Sequence, residues 1–223
     1  HFVQEPIAES QIIGSLGAAT ETTLRAFQVT RSVLPALAVG TLDAGLHIAF
    51  RVAQERQLYG THVIDMPYTE RLLAHAYGDL LLADAFASTA VRGLHATPDE
   101  CFLLSAACKY LVPEILQDGL DELATLLGST FYGRVAPYAV LEKFVRDLAV
   151  LPIGHAGGMS CLMSIAPSLP RWARIDRAAV TPRLFVDPQE DEEPDLERLC
   201  LSTSPNDRLT GLFIDPAVIE ALE

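Results

Sequence analysis

Apolar residues recur at three- and four-residue spacing through "TETTLRAFQVTRSVLPALAVGTLDAGLHIAFRVAQERQLYG", residues 20–60, which predicts a long amphipathic helix. Thr20 is followed three residues later by Thr23 rather than by Glu, so its start signal is partial. Pro35, Gly40 and Gly45 lie inside the run. Each glycine costs about 1 kcal/mol relative to alanine and lets a neighbour come close. A second helix is predicted from Pro67 to about Leu94, with proline in its first turn and Gly93 near its end. "TPDE" at 97–100 then reads as a third start, with Thr97 as N-cap, Pro98 at N1 and Glu100 at N3. That helix runs to Leu127, is expected to kink at Pro113, and ends at Gly128. "YAVLEKFVRDLAV" gives a fourth helix; the glycine-rich break "LPIGHAGGMS", residues 151–160, leads into a last short one, "MSCLMSIA".

Long helices joined by short loops predict an all-α, antiparallel four-helix bundle over residues 19–166. Residues 1–18 are mildly strand-like and read as a lead-in. Residues 167–223 form an irregular, proline-rich C-terminal extension that closes on a short apolar helix, "PAVIEAL".

Composition narrows the function classes. Half of the 223 residues are apolar, and the net charge is −13. That charge speaks against a nucleic-acid surface, which needs clustered Lys and Arg. Part of the acidic excess sits in "DPQEDEEPDLE" at 187–197, read as a solvated segment. Cys101, Cys108, Cys161 and Cys200 have no CxxC or zinc-ligand spacing and are read as free thiols. Neither a signal peptide nor an uninterrupted apolar run of about twenty residues is seen, so a soluble, cytoplasmic protein without a membrane partner is expected. The chain opens on His1 rather than Met, which is read as a piece of a longer precursor or a separate subunit.

No GxSxG, HExxH or Walker pattern is present. His47 and His75 fall on predicted helices as core or surface residues, and His1 and His95 have no supporting neighbours. The break at 151–160 is either a turn or a place where backbone approaches a ligand, and it carries His155.

Residues 5–166 resemble the C-terminal helical domain of the acyl-CoA dehydrogenase family. The resemblance rests on "FQVTRSVLPALAVGTLDAGLHIAFRVAQERQLYG", "IDMPYTERLLA", "SAACKYLVPEILQDGLDELATLLGSTFYGR" and "YAVLEKFVRDLAVLPIGHAGG", in order and at the family's spacing. It implies that residues 1–18 are the exit from a middle β-domain, and that FAD lies between that domain and the bundle. It also implies a homodimer or homotetramer formed through the bundle, or a heteromer with a homologous subunit. The substrate implied is an acyl thioester of coenzyme A or of an acyl carrier protein.

Site residues follow from the same resemblance. Arg56 and Tyr59 match the family's "ERxxFG" step, which implies a grip on the flavin pyrophosphate of a neighbouring subunit; a guanidinium fork suits phosphate oxygens. An ordinary helix-end arginine, pairing with carbonyls or with Asp65, is the alternative. Thr125, Gly128 and Ser129 stand where the family has a Gln-x-x-Gly-Gly flavin turn, so this motif is eroded. Gly128 either exposes backbone N–H groups to the cofactor or is a plain helix cap. Thr30 and Arg31 match the family's thioester-side pair, with a surface ion pair as the alternative for Arg31. Gly157 leaves room for the substrate.

At the position of the family's catalytic Glu stands His155, and the alternative Glu position on the first helix is Thr30. Three readings stay open: His155 is the base, another carboxylate reaches the site, or dehydrogenation has been lost. The functional expectation is α,β-desaturation of an acyl thioester by α-proton abstraction and hydride transfer to flavin. The alternative is a non-redox scaffold or partner subunit that mediates oligomerisation.

Overall fold

Helix α1, Ala19–Glu55, turns a stripe of Gln28, Arg31, Ser32, Pro35, Ala38, Leu42, Gly45, Ala49 and Val52 inward. These positions follow mostly three- and four-residue steps, so one face stays buried from Gln28 to Val52 of the 37-residue helix. In this computed structural model, residues 6–154, 157–169, 182–186 and 193–201 are described. Helices α2, Pro67–Ala96, and α3, Cys101–Leu127, carry comparable stripes. Helix α4 is Tyr138–Leu148 and α5 is Gly158–Ile165.

The chain runs up, down, up and down. Gln28 of α1 meets Cys101 at the start of α3, and Arg56 just after α1 meets Leu127 at the end of α3, so α1 and α3 are parallel. Helix α2 returns between them, and α4 runs back along α3. Helix α3 is the centre and touches all four other helices. This is the expected helical bundle. The strands β1, Gln57–Leu58, and β2, Thr61–His62, form a small antiparallel hairpin between α1 and α2.

Small residues set the helix spacing. A Cβ on Gly45 would lie 3.0 Å from methyls of both Leu120 and Leu141. One on Gly119 would lie 3.0 and 3.1 Å from the two methyls of Leu42. The backbones of α1 and α3 therefore approach closely where glycine faces leucine.

Some expectations need correction. "TPDE" does not cap α3: Thr97 ends α2, residues 98–100 form a turn closed by Glu100 N–H to the Thr97 carbonyl at 2.9 Å, and α3 begins at Cys101. A backbone turn stands here in place of a side-chain cap. The described lead-in, residues 6–18, holds a 3-10 turn at Glu9–Gln11 and no strand. The part of the extension that is described packs onto the bundle. Leu184 joins the main core, Leu199 packs with Leu94, Cys101 and Val29, and Arg25 donates to the Glu197 carbonyl at 2.7 Å. The closing "PAVIEAL" lies outside the described residues.

By length and composition α1 could cross a membrane, with a window of mean hydropathy 1.6. Here it packs lengthwise against α2, α3 and α4.

Candidate functional site

The predicted site residues fall at two ends of the bundle. Thr30, Arg31 and Gly157 lie toward the start of α1 and of α5; Arg56, Tyr59, Thr125, Gly128 and Ser129 lie where α1 and α3 end. Arg31 and Arg56 are 25 positions apart, roughly 38 Å along α1 at 1.5 Å per residue.

At the first end, α1, α3 and α5 enclose a polar layer inside an otherwise apolar core. Arg31 is 6% exposed, and its Nε is buried with no hydrogen-bond partner among the described residues. A surface ion pair is therefore ruled out for it. Thr30 is half-buried and donates to the Phe27 carbonyl at 3.0 Å. Facing Arg31 from α3 is Lys109, 1% exposed, whose Nζ donates to the Leu151 carbonyl. Burial pushes the Lys109 ammonium below the usual lysine range; Arg31 adds to that, while Cys161 and Cys108 oppose it. Both thiols are held neutral by burial, Cys108 at about 12, against the pull of the neighbouring cations. All four cysteines are thiols outside any disulfide, as expected.

The turn joining α4 to α5 closes this end. Gly158 N–H donates to the Pro152 carbonyl at 2.8 Å, and Cys161 N–H to the Gly157 carbonyl at 3.1 Å. A Cβ on Gly157 would stand 3.1 Å from the Pro152 carbonyl oxygen, so only glycine fits there without movement. His155 lies outside the described residues.

At the second end, Arg56 Nη1 donates to the Leu127 carbonyl at 3.1 Å, and Thr130 Oγ1 donates to the same oxygen at 2.5 Å. Gly128 follows with φ +59° and ends α3 through its N–H to the Ala124 and Thr125 carbonyls. Tyr59 sits at φ +55° with 99% of its surface exposed. Thr125 gives its hydroxyl proton to the Asp121 carbonyl at 3.0 Å.

The family model "Acyl-CoA dehydrogenase, C-terminal domain" matches residues 17–163. The chain belongs to the acyl-CoA dehydrogenase family. Among curated relatives, the probable acyl-CoA dehydrogenase FadE25 of Mycobacterium tuberculosis, and the same protein of Mycobacterium bovis, are 26% identical over 154 residues. The match takes in 69% of this chain and 39% of theirs, so the chain spans about two fifths of those relatives. Similar solved structures include butyryl-CoA dehydrogenase from Megasphaera elsdenii, with TM-score 0.68, 18% identity, 74% of this chain and 42% of that one. Another is the glutaryl-coenzyme A dehydrogenase glutaryl-CoA complex, with TM-score 0.67, 22% identity, 74% of this chain and 41% of that one.

As an acyl-CoA dehydrogenase C-terminal domain, the chain brings Arg56 and the Gly128 turn together and sets Arg31 beside α5. Arg56 spends one donor on a helix-end carbonyl, which holds the fork in place and leaves further N–H groups. Arg56→Ala is expected to lower flavin retention at least tenfold, read as bound flavin after desalting of the full-length protein. Thr125→Ala should leave retention unchanged, because that hydroxyl proton is already given to the Asp121 carbonyl. Equal retention in all three proteins would remove Arg56 from the flavin site.

Lys109 escaped the sequence reading. Its signal was there: it continues the buried stripe Ser105, Val112, Leu116, Leu120 at three- and four-residue steps, where a charge is out of place. His75, expected as core or surface, is exposed, and its Nδ1 lies 3.1 Å from Glu122 and 3.7 Å from Asp79. Burial raises the Asp79 carboxyl above its ordinary value; His75 opposes this, and Glu122 and Asp118 add to it. A carboxyl whose folded pKa lies above its unfolded value loses stabilisation as pH rises through that range. Asp79→Asn is thus expected to melt above the native protein at pH 8 and to coincide with it near pH 3. A lower melting temperature at pH 8 would contradict this.

Proposed function

We propose that this domain belongs to a larger FAD-dependent flavoprotein that desaturates an acyl thioester of coenzyme A or an acyl carrier protein at its α,β-bond. The observation that supports this reading best is the buried Arg31, with its free Nε, next to the glycine-lined turn before α5. A cation held away from water there suits the thioester end of a substrate and the charge that develops as an α-proton leaves. The donor set at the other end suits a dinucleotide: the Arg56 fork, the exposed Gly128 turn and the exposed Tyr59. Flavin, when bound, would supply the hydride acceptor.

The residues of this chain would orient the substrate and take its proton. Arg31 would hold the thioester end, Gly157 would leave it room, and His155 would accept the α-proton. The separation of roughly 38 Å between Arg31 and Arg56 along α1 suits separate roles, Arg31 on the substrate and Arg56 on a flavin in a second subunit. An open apolar groove of about 500 Å³ between α1 and α2, lined by Leu46, Phe50, Leu73 and Tyr77, favours a homo-oligomer built on this face.

A second reading rests on the absence of a carboxylate at both Thr30 and His155: a non-redox relative that keeps the scaffold for assembly. An absorption scan of the purified full-length protein separates the two. Visible flavin bands together with enoyl product from an acyl-thioester panel support the dehydrogenase. A colourless protein that takes up no added FAD overturns it.

A further inference from the structure

Among the described residues, Lys109 heads the fully buried side chains by volume, and burial of its charge brings no salt bridge with any of them. The Arg31 guanidinium adds to the cost of that charge, and the Cys161 and Cys108 sulfurs offset it in part. An unpaired buried ammonium is costly, and an apolar side chain of the same length would pack at least as well. Packing alone does not account for it.

The hydrogen bond does. Lys109 Nζ donates to the carbonyl of Leu151, three residues past the end of α4. Among the described residues from there to α5, the backbone makes turn bonds: Leu151 N–H to Leu148, Ile153 and Gly154 N–H to Val150, and Gly158 N–H to Pro152. Isolated turn bonds open more readily than a helix ladder, so an anchor on the Leu151 carbonyl adds to them. The segment's far shoulder lies near the next residue of α3, where a Cβ on Gly158 would stand 3.5 Å from the Tyr110 ring. Two consecutive residues of α3 thus flank the two shoulders of one turn. The turn lies beside Arg31, whose charge reaches both Lys109 and Cys161.

We propose that Lys109 is a positioning residue: through the Leu151 carbonyl its ammonium fixes the α4–α5 turn against α3 in the register that the thioester end requires. The catalytic consequence rests on the proposed function; the fixing of the turn does not.

Lys109→Met in the full-length protein keeps the volume and removes the donor. Hydrogen exchange of peptides within 150–160 should quicken about tenfold, with exchange in α1 and α2 unchanged. Flavin content should stay native, while kcat on an acyl thioester falls about a hundredfold with KM within about twofold. Lys109→Gln, a neutral donor, should recover part of that loss. Native exchange over 150–160 in Lys109→Met overturns the proposal, and so does native kcat alongside quickened exchange. If the native protein binds no flavin and turns nothing over, the functional reading fails while the exchange comparison still decides whether Lys109 fixes the turn. Should Lys109→Met not fold, the same comparison is made on Lys109→Gln, whose shorter side chain should quicken exchange to a lesser degree; native exchange there overturns the proposal.

Discussion

Leu42→Ala is expected to lower the unfolding free energy of the domain by about 3 kcal/mol, measured by urea denaturation. Leu42 is fully buried, on the seam between α1 and α3, with both methyls against the Gly119 backbone. Truncation opens a cavity that the helices can collapse only by moving together, and the other small residues on the seam already hold them close. Gly119→Ala places a methyl 3.0 Å from the Leu42 side chain. That clash outweighs the gain in helix propensity, for a net loss of about 1 kcal/mol. The double variant should be less destabilised than the sum, because truncating Leu42 makes room for the added methyl. Strict additivity would mean that the two residues do not share the contact.

His155→Ala is expected to lower turnover of the full-length protein about a thousandfold while bound flavin remains, the loss typical of removing a positioned base. The reason is one of place: the family resemblance puts this position where the α-proton is taken, and the turn around it is glycine-lined on both sides. Single-turnover flavin bleaching by an acyl thioester reads the step directly. His155→Glu supplies the carboxylate that the family carries there and should retain turnover. If His155→Ala bleaches as fast as the native protein, the base lies elsewhere. If only His155→Glu bleaches, the native chain is the non-redox scaffold.

The long helices were legible because a buried face must repeat every three or four residues whatever it packs against. Leu42, Leu120 and Leu127 follow that rule, and Gly128 marks the end of α3 through a left-handed φ that side chains avoid. The start of α3 was misplaced because Thr97, Pro98 and Glu100 also suit a tight turn. Only the packing of Cys101 and Leu94 against Leu199 marks where the helix has to begin.

The site was legible in part. Motif resemblance picked out Arg31 and Arg56 but not that Arg31 is buried; the carbonyl that Arg56 holds is the alternative weighed for it from the sequence. Lys109 was invisible as chemistry, since a lone lysine on a helix is usually solvated.

Sequence by itself determined the helical class, the helix order and the family. These depend on periodicity and on local backbone chemistry, which each segment carries alone. Tertiary structure decided which helix is central, that a lysine and an arginine share one buried layer, and that Lys109 reaches a carbonyl forty-two residues away. Those outcomes depend on which faces meet, and burial strengthens or penalises a charge only once its surroundings are assembled.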